Sequence, residues 1–390
     1  MTAIGSRDVH EALRLVLGRV ARTLEETGER FPLYCEATGP SDQVWVTTDD
    51  GNWCAGYWIG LLWLAAKHAD SPQDRRRFEK AAYDHLPPLV RQPAGHIFAS
   101  LNWHYAGFLG FDVTGDPGLR RRAIEAADAM LTLYHSGARQ IPIGIYTTAP
   151  PNAASRNGPV DRRSLAAVDV VHTSVPILLR AAAATGNPAY AEVARSHVRR
   201  HCELFVRTDG STGHLVAFDP VTGSPQRAFS TLARSDAGCW SRGFGWHIAG
   251  MAAAYSHFAE AADLAIVRRS VEYYLTHAGP DLIPAWDLAI ADPDAKRDAS
   301  AAALVAYGLL SLRARPDAEA NDLAAVGARI FKSLLHGCLV RDRAANAGAV
   351  LHGCYRHPSG VATDAELIWT DFYVAATLDL LLSRGEAFDQ

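Results

Sequence analysis

A junction that recurs five times limits what this sequence can fold into. In "LAAKHADSPQDRRRFEKAAYDHL", "GFDVTGDPGLRRRAIEAADAML" and "AAATGNPAYAEVARSHVRRHC" an apolar run meets a polar turn, then a proline, then an amphipathic stretch. "LLSLRARPDAEANDLAAVGARI" repeats the arrangement, and "AYSHFAEAADLAIVRRSVEYYL" repeats it without the proline. Gly or Asp can close the first helix, and Pro, whose missing N–H costs nothing there, opens the first turn of the next. Each hairpin so formed exposes an apolar face that only a neighbouring hairpin can cover. An N-terminal helix adds to the set, with Leu13, Val16, Leu17, Val20 and Leu24 on one face. Roughly a dozen helices in one closed α/α toroid are expected. One β-hairpin is expected as well, in "GHLVAFDPVTGSPQ", two short alternating runs about a turn.

No stretch reads as an interdomain linker, so residues 1–390 are expected to form one domain. The longest irregular segment, residues 144–164, is too long for a plain connector and is expected to line a site. The formal net charge of −4 carries no basic stripe, which argues against a nucleic-acid partner. No apolar run approaches the roughly 20 residues that span a bilayer. The N-terminus, with Asp8 and Glu11 before a short amphipathic run, does not read as a signal peptide. Six scattered cysteines without a CxxC pair fit a reduced, cytoplasmic protein, expected as a monomer or homodimer. His336, Cys338, His352 and Cys354 fall in matching tripeptides, but their spacing fits no standard zinc pattern. No metal or cofactor is expected.

Aromatic residues gather between the helices. "NWCAGYWIGLLWL" holds Trp53 and Tyr57, "LNWHYAGF" holds Tyr105, "GCWSRGFGW" holds Trp240, Arg242 and Trp246, and "LIWTDFYVA" holds Trp369. Any one indole can simply fill a helix contact. As a set, repeatedly beside Gly, Asp and Arg at helix starts, they suggest a site that stacks on sugar rings, with Arg242 free to grip a carboxylate.

Five stretches in order, "WCAGYWIGLLWL", "TGHLVAFDPVTG", "WSRGFGW", "AWDLAIADPDAKRDASAAALVAYGLLSL" and "IWTDFYVAATLDLLL", resemble the motifs of glycoside hydrolase family 88. These are the unsaturated glucuronyl hydrolases; the unsaturated rhamnogalacturonyl hydrolases are related. The resemblance runs from about Phe31 to Leu382 and implies an all-α (α/α)6 barrel of catalytic type acting on a small sugar-like substrate. The chemistry implied is hydration of a C4=C5 double bond in a terminal uronate, started by an aspartic acid that protonates C4. The matching aspartate is Asp169, in "AAVDVVHTSVPILL", an isolated acid in an apolar run. A cap or a partner for Arg162 or Arg163 is the plainer explanation of it. The substrate contacts that the resemblance implies are Trp53, Tyr57, His214, Trp240, Arg242, Trp246 and Trp369; Tyr105 and His172 are expected in the substrate site beside them.

The sequence also departs from that pattern. The family's second aspartate stands in a His-Asp-Leu-Gly-Phe motif, which aligns either with "HIFAS", putting Ile97 there, or with "HYAGF", putting Tyr105 there. No Asp or Glu occurs between Asp84 and Asp112. Phe244 replaces a usual glutamine, and Thr231 and Leu232 replace a common His-Gln pair. All these changes are expected to fall on polar contacts with the sugar. Two other readings therefore stay open. One is a repurposed isomerase, dehydratase or cyclase of specialised metabolism, in which Asp169, His104 or His172 moves a proton. The other is a binding protein that retains only the aromatic walls.

Overall fold

The computed structural model describes residues 6–36, 44–144, 161–315, 317–341 and 349–383. Most of the segment expected to line a site over 144–164 lies outside the described residues. Among the described residues, twelve principal helices alternate between two concentric layers. They are α1 (Ser6–Thr27), α2 (Ala55–Lys67), α3 (Pro72–Asp84), α4 (Ile97–Trp103), α5 (Pro117–Leu133) and α6 (Val170–Thr185). The second half adds α7 (Pro188–Phe205), α8 (Ser241–Phe258), α9 (Ala261–His277), α10 (Ala299–Ser311), α11 (Ala318–Gly337) and α12 (Ile368–Ser383). The even-numbered helices form a closed ring: α2 packs on the continuation of α4, α4 on α6, α6 on α8, α8 on α10, α10 on α12, and α12 returns to α2. The odd-numbered helices pack around this ring. This is the (α/α)6 barrel.

The two layers follow from the side chains. Inner α2 is buried along its whole length from Ala55 to Ala66, and α10 carries no charged residue. Such helices have no polar face to offer water and must lie inside. Outer α3 and α7 bury one stripe and expose the other. The junctions behave as their residues dictate. Ser71, Asp116 and Asn187 each accept a backbone N–H at a helix start whose first residue is proline. The helices before two of them end at Gly115 and Gly186, both in the left-handed region.

The inner helices approach closely where residues are small. A Cβ on Gly56 would stand 2.5 Å from the backbone of Asn102 in α4. Gly56→Ala is therefore expected to cost about 1–3 kcal/mol, read as a lower urea midpoint, because two backbones must part to admit the methyl group.

The expected hairpin forms, as β4 (Leu215–Phe218) and β5 (Pro225–Phe229), and β3 (Leu165–Ala167) joins β4 to complete a three-stranded antiparallel sheet. A second sheet was not anticipated. In it β1 (Phe31–Glu36) lies between β2 (Val46–Thr48) and β6 (Ala365–Leu367). The first sheet ends at the start of α6 and the second at the start of α12, so both brace the mouth of the barrel. None of the described helices is long and apolar enough to cross a membrane.

Candidate active site

Asp169 stands immediately before α6, where β3 gives way to the helix, and faces a cavity of about 70 Å³. Trp53, Phe98, Leu101, Thr173, Trp240, Arg242 and Trp246 line it, closed by Leu232, Tyr355 and Arg356. These residues come from the first two turns of α4, α6 and α8, from the turn before α2, from the loop between β5 and α8, and from the loop that leads toward α12. Several inner-helix N-termini, with their partial positive charge, therefore converge on one chamber.

The carboxyl of Asp169 makes no capping hydrogen bond, and Arg163 pairs with Asp161 instead. Its Oδ1 is buried and has no hydrogen-bond partner. Burial pushes the carboxyl up to about 7, against a smaller opposing pull from Arg242. Among the lining residues it is the one carboxylate. A large share of it is thus still the neutral acid near pH 7, able to donate a proton to whatever fills the cavity.

"GCWSRGFGW" forms one wall, and its residues are held from behind. The buried Asp287 carboxylate accepts from Arg234 N and Cys239 N, and Ser241 N donates to the Trp286 carbonyl. A Cβ on Gly243 would meet the Trp240 ring at 2.5 Å, so glycine is needed for the indole to fold over the helix start. Arg242 is 2% exposed. Its Nη1 donates to the Cys354 carbonyl at 2.7 Å and its Nη2 to the Tyr355 carbonyl at 2.9 Å. The rings of Trp240, Trp369 and Tyr355 surround the guanidinium at 4.7, 5.3 and 5.7 Å, and Asp298 lies 3.9 Å away. The fork expected to grip a substrate carboxylate is engaged by two carbonyls; Arg242 adds its charge to the chamber and ties α8 to the loop before α12.

The other expected site residues divide into two groups. Trp369 is fully buried against Trp53, with ring centroids 4.6 Å apart, and His214 packs behind Trp240 at 4.9 Å. The His214 Nδ1 takes part in a 3.1 Å bond with Ser230. These two support the wall rather than line it. Tyr57, Tyr105 and His172 meet deeper, with Tyr373, in a web across the barrel. Tyr373 Oη lies 3.2 Å from Tyr57 Oη, 2.9 Å from Tyr105 Oη and 2.8 Å from His172 Nε2. Tyr105 belongs to a π-helical stretch, His104–Leu109, that continues α4. Beyond the web, later turns of α6, α8 and α10 line a second cavity of about 410 Å³, with Tyr105 and His172 on its near side. Burial drives His172 down to about 3 and His104 well below the usual histidine range, so neither supplies a proton near neutral pH.

Two expectations need correcting. Phe244 does not face the chamber: it stacks on Tyr274 at 5.9 Å, between α8 and α9. Two residues from both Arg242 and Trp246 on a helix, it points to the opposite side. Where the second aspartate was sought, Ile97 is fully buried in the core, Tyr105 lies in the web, and Phe98 and Leu101 face the chamber. Among the described residues no group of three or more His, Cys, Asp or Glu could hold a metal. His352 pairs with Asp364 instead, and burial pushes the thiols of Cys338 and Cys354 up to about 12.

Phe98, Leu101, Thr173, Tyr355 and Arg356 were not singled out by the sequence. The pair Tyr355–Arg356 carries the same signal as Trp240 and Arg242, an aromatic beside an arginine at a turn.

No family model matches the chain. Over 386 residues it is 28% identical to the unsaturated glucuronyl hydrolase of Bacillus sp. (strain GL1), covering 96% of this chain and 97% of that protein. It is 26% identical over 388 residues to an unsaturated chondroitin disaccharide hydrolase of Streptococcus pneumoniae, covering 95% of this chain and 91% of that one. The crystal structure of the Bacillus enzyme superposes with a TM-score of 0.83 at 26% identity, over 97% of both chains. An unsaturated glucuronyl hydrolase from Streptococcus agalactiae shares the fold at 22% identity, with a TM-score of 0.85 over all of this chain and 95% of that one.

Proposed function

We propose that this chain, a glycoside hydrolase-like enzyme related to the unsaturated glucuronyl hydrolases along nearly its whole length, hydrates the C4=C5 double bond of a terminal unsaturated uronide. The observation that carries the reading is Asp169, held protonated to about 7 in an aromatic chamber. A uronate ring lies between the indoles of Trp53, Trp240 and Trp246, whose faces suit its C–H surfaces. Its carboxylate is drawn by the converging helix N-termini and by the charges of Arg242 and Arg356.

Asp169 donates its proton to C4, and the double-bond electrons form the new C4–H bond. The ring oxygen shares a lone pair with C5, giving an oxocarbenium ion. Water adds to C5 as the carboxylate of Asp169 takes one of its protons. The resulting hemiketal opens, the glycosidic oxygen leaves with a proton, and the aglycone is released. One carboxyl group serves as acid and then as base, which suits a chamber with one carboxylate among its described lining residues.

Incubation with a Δ4,5-unsaturated uronyl disaccharide tests this. The ultraviolet absorbance of the conjugated acid should decay, and unchanged absorbance at high enzyme concentration would reject the reading for that substrate. The same assay gives a pH profile. The acid form is required, so kcat/KM should hold below the raised value and fall about tenfold per unit as pH rises past about 7. A rate that instead climbed from pH 6 to 8 would mean that Asp169 does not act as the acid.

A further inference from the structure

The cavity wall carries a second polar atom that the proposed chemistry has not used. Thr173 is 2% exposed, lines the cavity, and its Oγ1 is buried with no hydrogen-bond partner. The Asp169 Oδ1 is in the same condition. Their backbones are linked, since Thr173 N donates to the Asp169 carbonyl at 3.0 Å. Residues four apart share a helix face, with Cβ atoms about 5–6 Å apart. Two oxygens so placed can both reach one water at ordinary hydrogen-bond length.

Leaving two buried oxygens unpartnered is costly unless a ligand or water completes them. The rest of the wall offers water few acceptors. Phe98, Leu101 and Leu232 are apolar, the Trp53 Nε1 donates to the Tyr355 hydroxyl at 3.1 Å, both Arg242 Nη atoms are committed to carbonyls, and the unpartnered Arg242 Nε can only donate. A water held in so apolar a chamber needs at least two polar partners. Asp169 supplies one, and Thr173 is the one aliphatic hydroxyl among the lining residues.

We infer that Thr173 positions the attacking water, sharing with one hydroxyl the work that a second carboxylate would otherwise do. The inference rests on the hydration reading above. The water donates one hydrogen to the Asp169 carboxylate formed once C4 is protonated, and its other hydrogen to the Thr173 Oγ1. Its lone pair is then left facing C5. Bond making is unchanged: the C5–O bond forms, and the proton passes from water to Asp169. Thr173 neither gains nor loses a proton.

Thr173→Val keeps the shape and removes the oxygen, while Thr173→Ser keeps the oxygen. With the unsaturated disaccharide as substrate, the valine variant should lose about 10–100-fold in kcat with little change in KM, and the serine variant should stay within about threefold of the parent. The decisive reading is the product ratio in aqueous methanol, read by proton NMR. Water and methanol attack the same C5 cation, but methanol has no second hydrogen for Thr173 to accept, so the share of C5 methyl ketal over hydrated product should rise several-fold in the valine variant. A valine variant with parental turnover overturns the inference. So does one that loses turnover with the product ratio unchanged, since disturbed packing would slow both attacks equally. If the parent enzyme leaves the disaccharide untouched, the hydration reading itself falls, which is a different result from an active parent with an indifferent Thr173.

Discussion

Asp169→Asn is expected to reduce turnover of an unsaturated uronide by about 10³-fold or more while making the protein more stable. Both effects have one cause. Burial raises the carboxyl from 3.8 to about 7 because the surroundings disfavour its charge. In the unfolded chain the same group titrates in the ordinary range, so between the two values the folded state binds the extra proton. Its contribution to stability is therefore complete below about pH 4 and is lost as pH rises to about 7. At 1.36 kcal/mol per unit, the whole interval amounts to about 4 kcal/mol at the ceiling. Asparagine has no charge to bury. The variant should melt several degrees above the parent at pH 8 and at nearly the same temperature at pH 4. Calorimetry at the two values, beside the absorbance assay, measures this. A variant no more stable at pH 8 would show that the carboxylate is well solvated and that the proton-donor role lacks its physical basis.

Arg242→Met should act in the opposite sense on stability. The guanidinium holds the Cys354 and Tyr355 carbonyls and lies near the buried Asp298, whose own carboxyl burial pushes up. Methionine fills some of the space among three rings but leaves two carbonyls unpaired and Asp298 without its cation. Breaking a buried pair from one side costs about 3–5 kcal/mol, which denaturant titration can resolve. A second consequence separates this from a general loosening of the fold. Arg242 pulls the Asp169 carboxyl down, so without it the acid stays protonated to higher pH. The alkaline fall in activity should move above about 7 in the folded fraction. Arg242→Lys, which keeps the charge and loses the fork, should leave that fall in place while still destabilising the protein.

The barrel was legible because its signals are local. A proline after Ser71, Asp116 or Asn187 fixes a helix start without reference to the rest of the chain, and an α2 without charge until Lys67 can only lie inside. The second sheet was not legible, since β1 pairs with β6 from the far end of the chain and β6 spans three residues, Ala365–Leu367, too few to show alternation. In the site, sequence proximity misled where helix phase decides. Phe244 lies between Arg242 and Trp246 in the chain and on the other side of the helix in space. Tyr57 and Tyr105 share the sequence signature of the chamber residues but lie a turn beyond Trp53 and Leu101, whereas His172 neighbours Thr173 in the chain and points to another side of α6. Depth and phase both depend on where each helix starts, which residue types alone do not fix.

The web of Tyr57, Tyr105, Tyr373 and His172 has a consequence for traffic. It stands between the chamber at Asp169 and the larger cavity behind, so among the described residues a polymer has no straight path from one to the other. Leu232 and Arg356 are among the part-exposed residues of the chamber lining. Substitutions there should tune how fast the chamber fills and empties, while those at Asp169 decide whether anything happens inside.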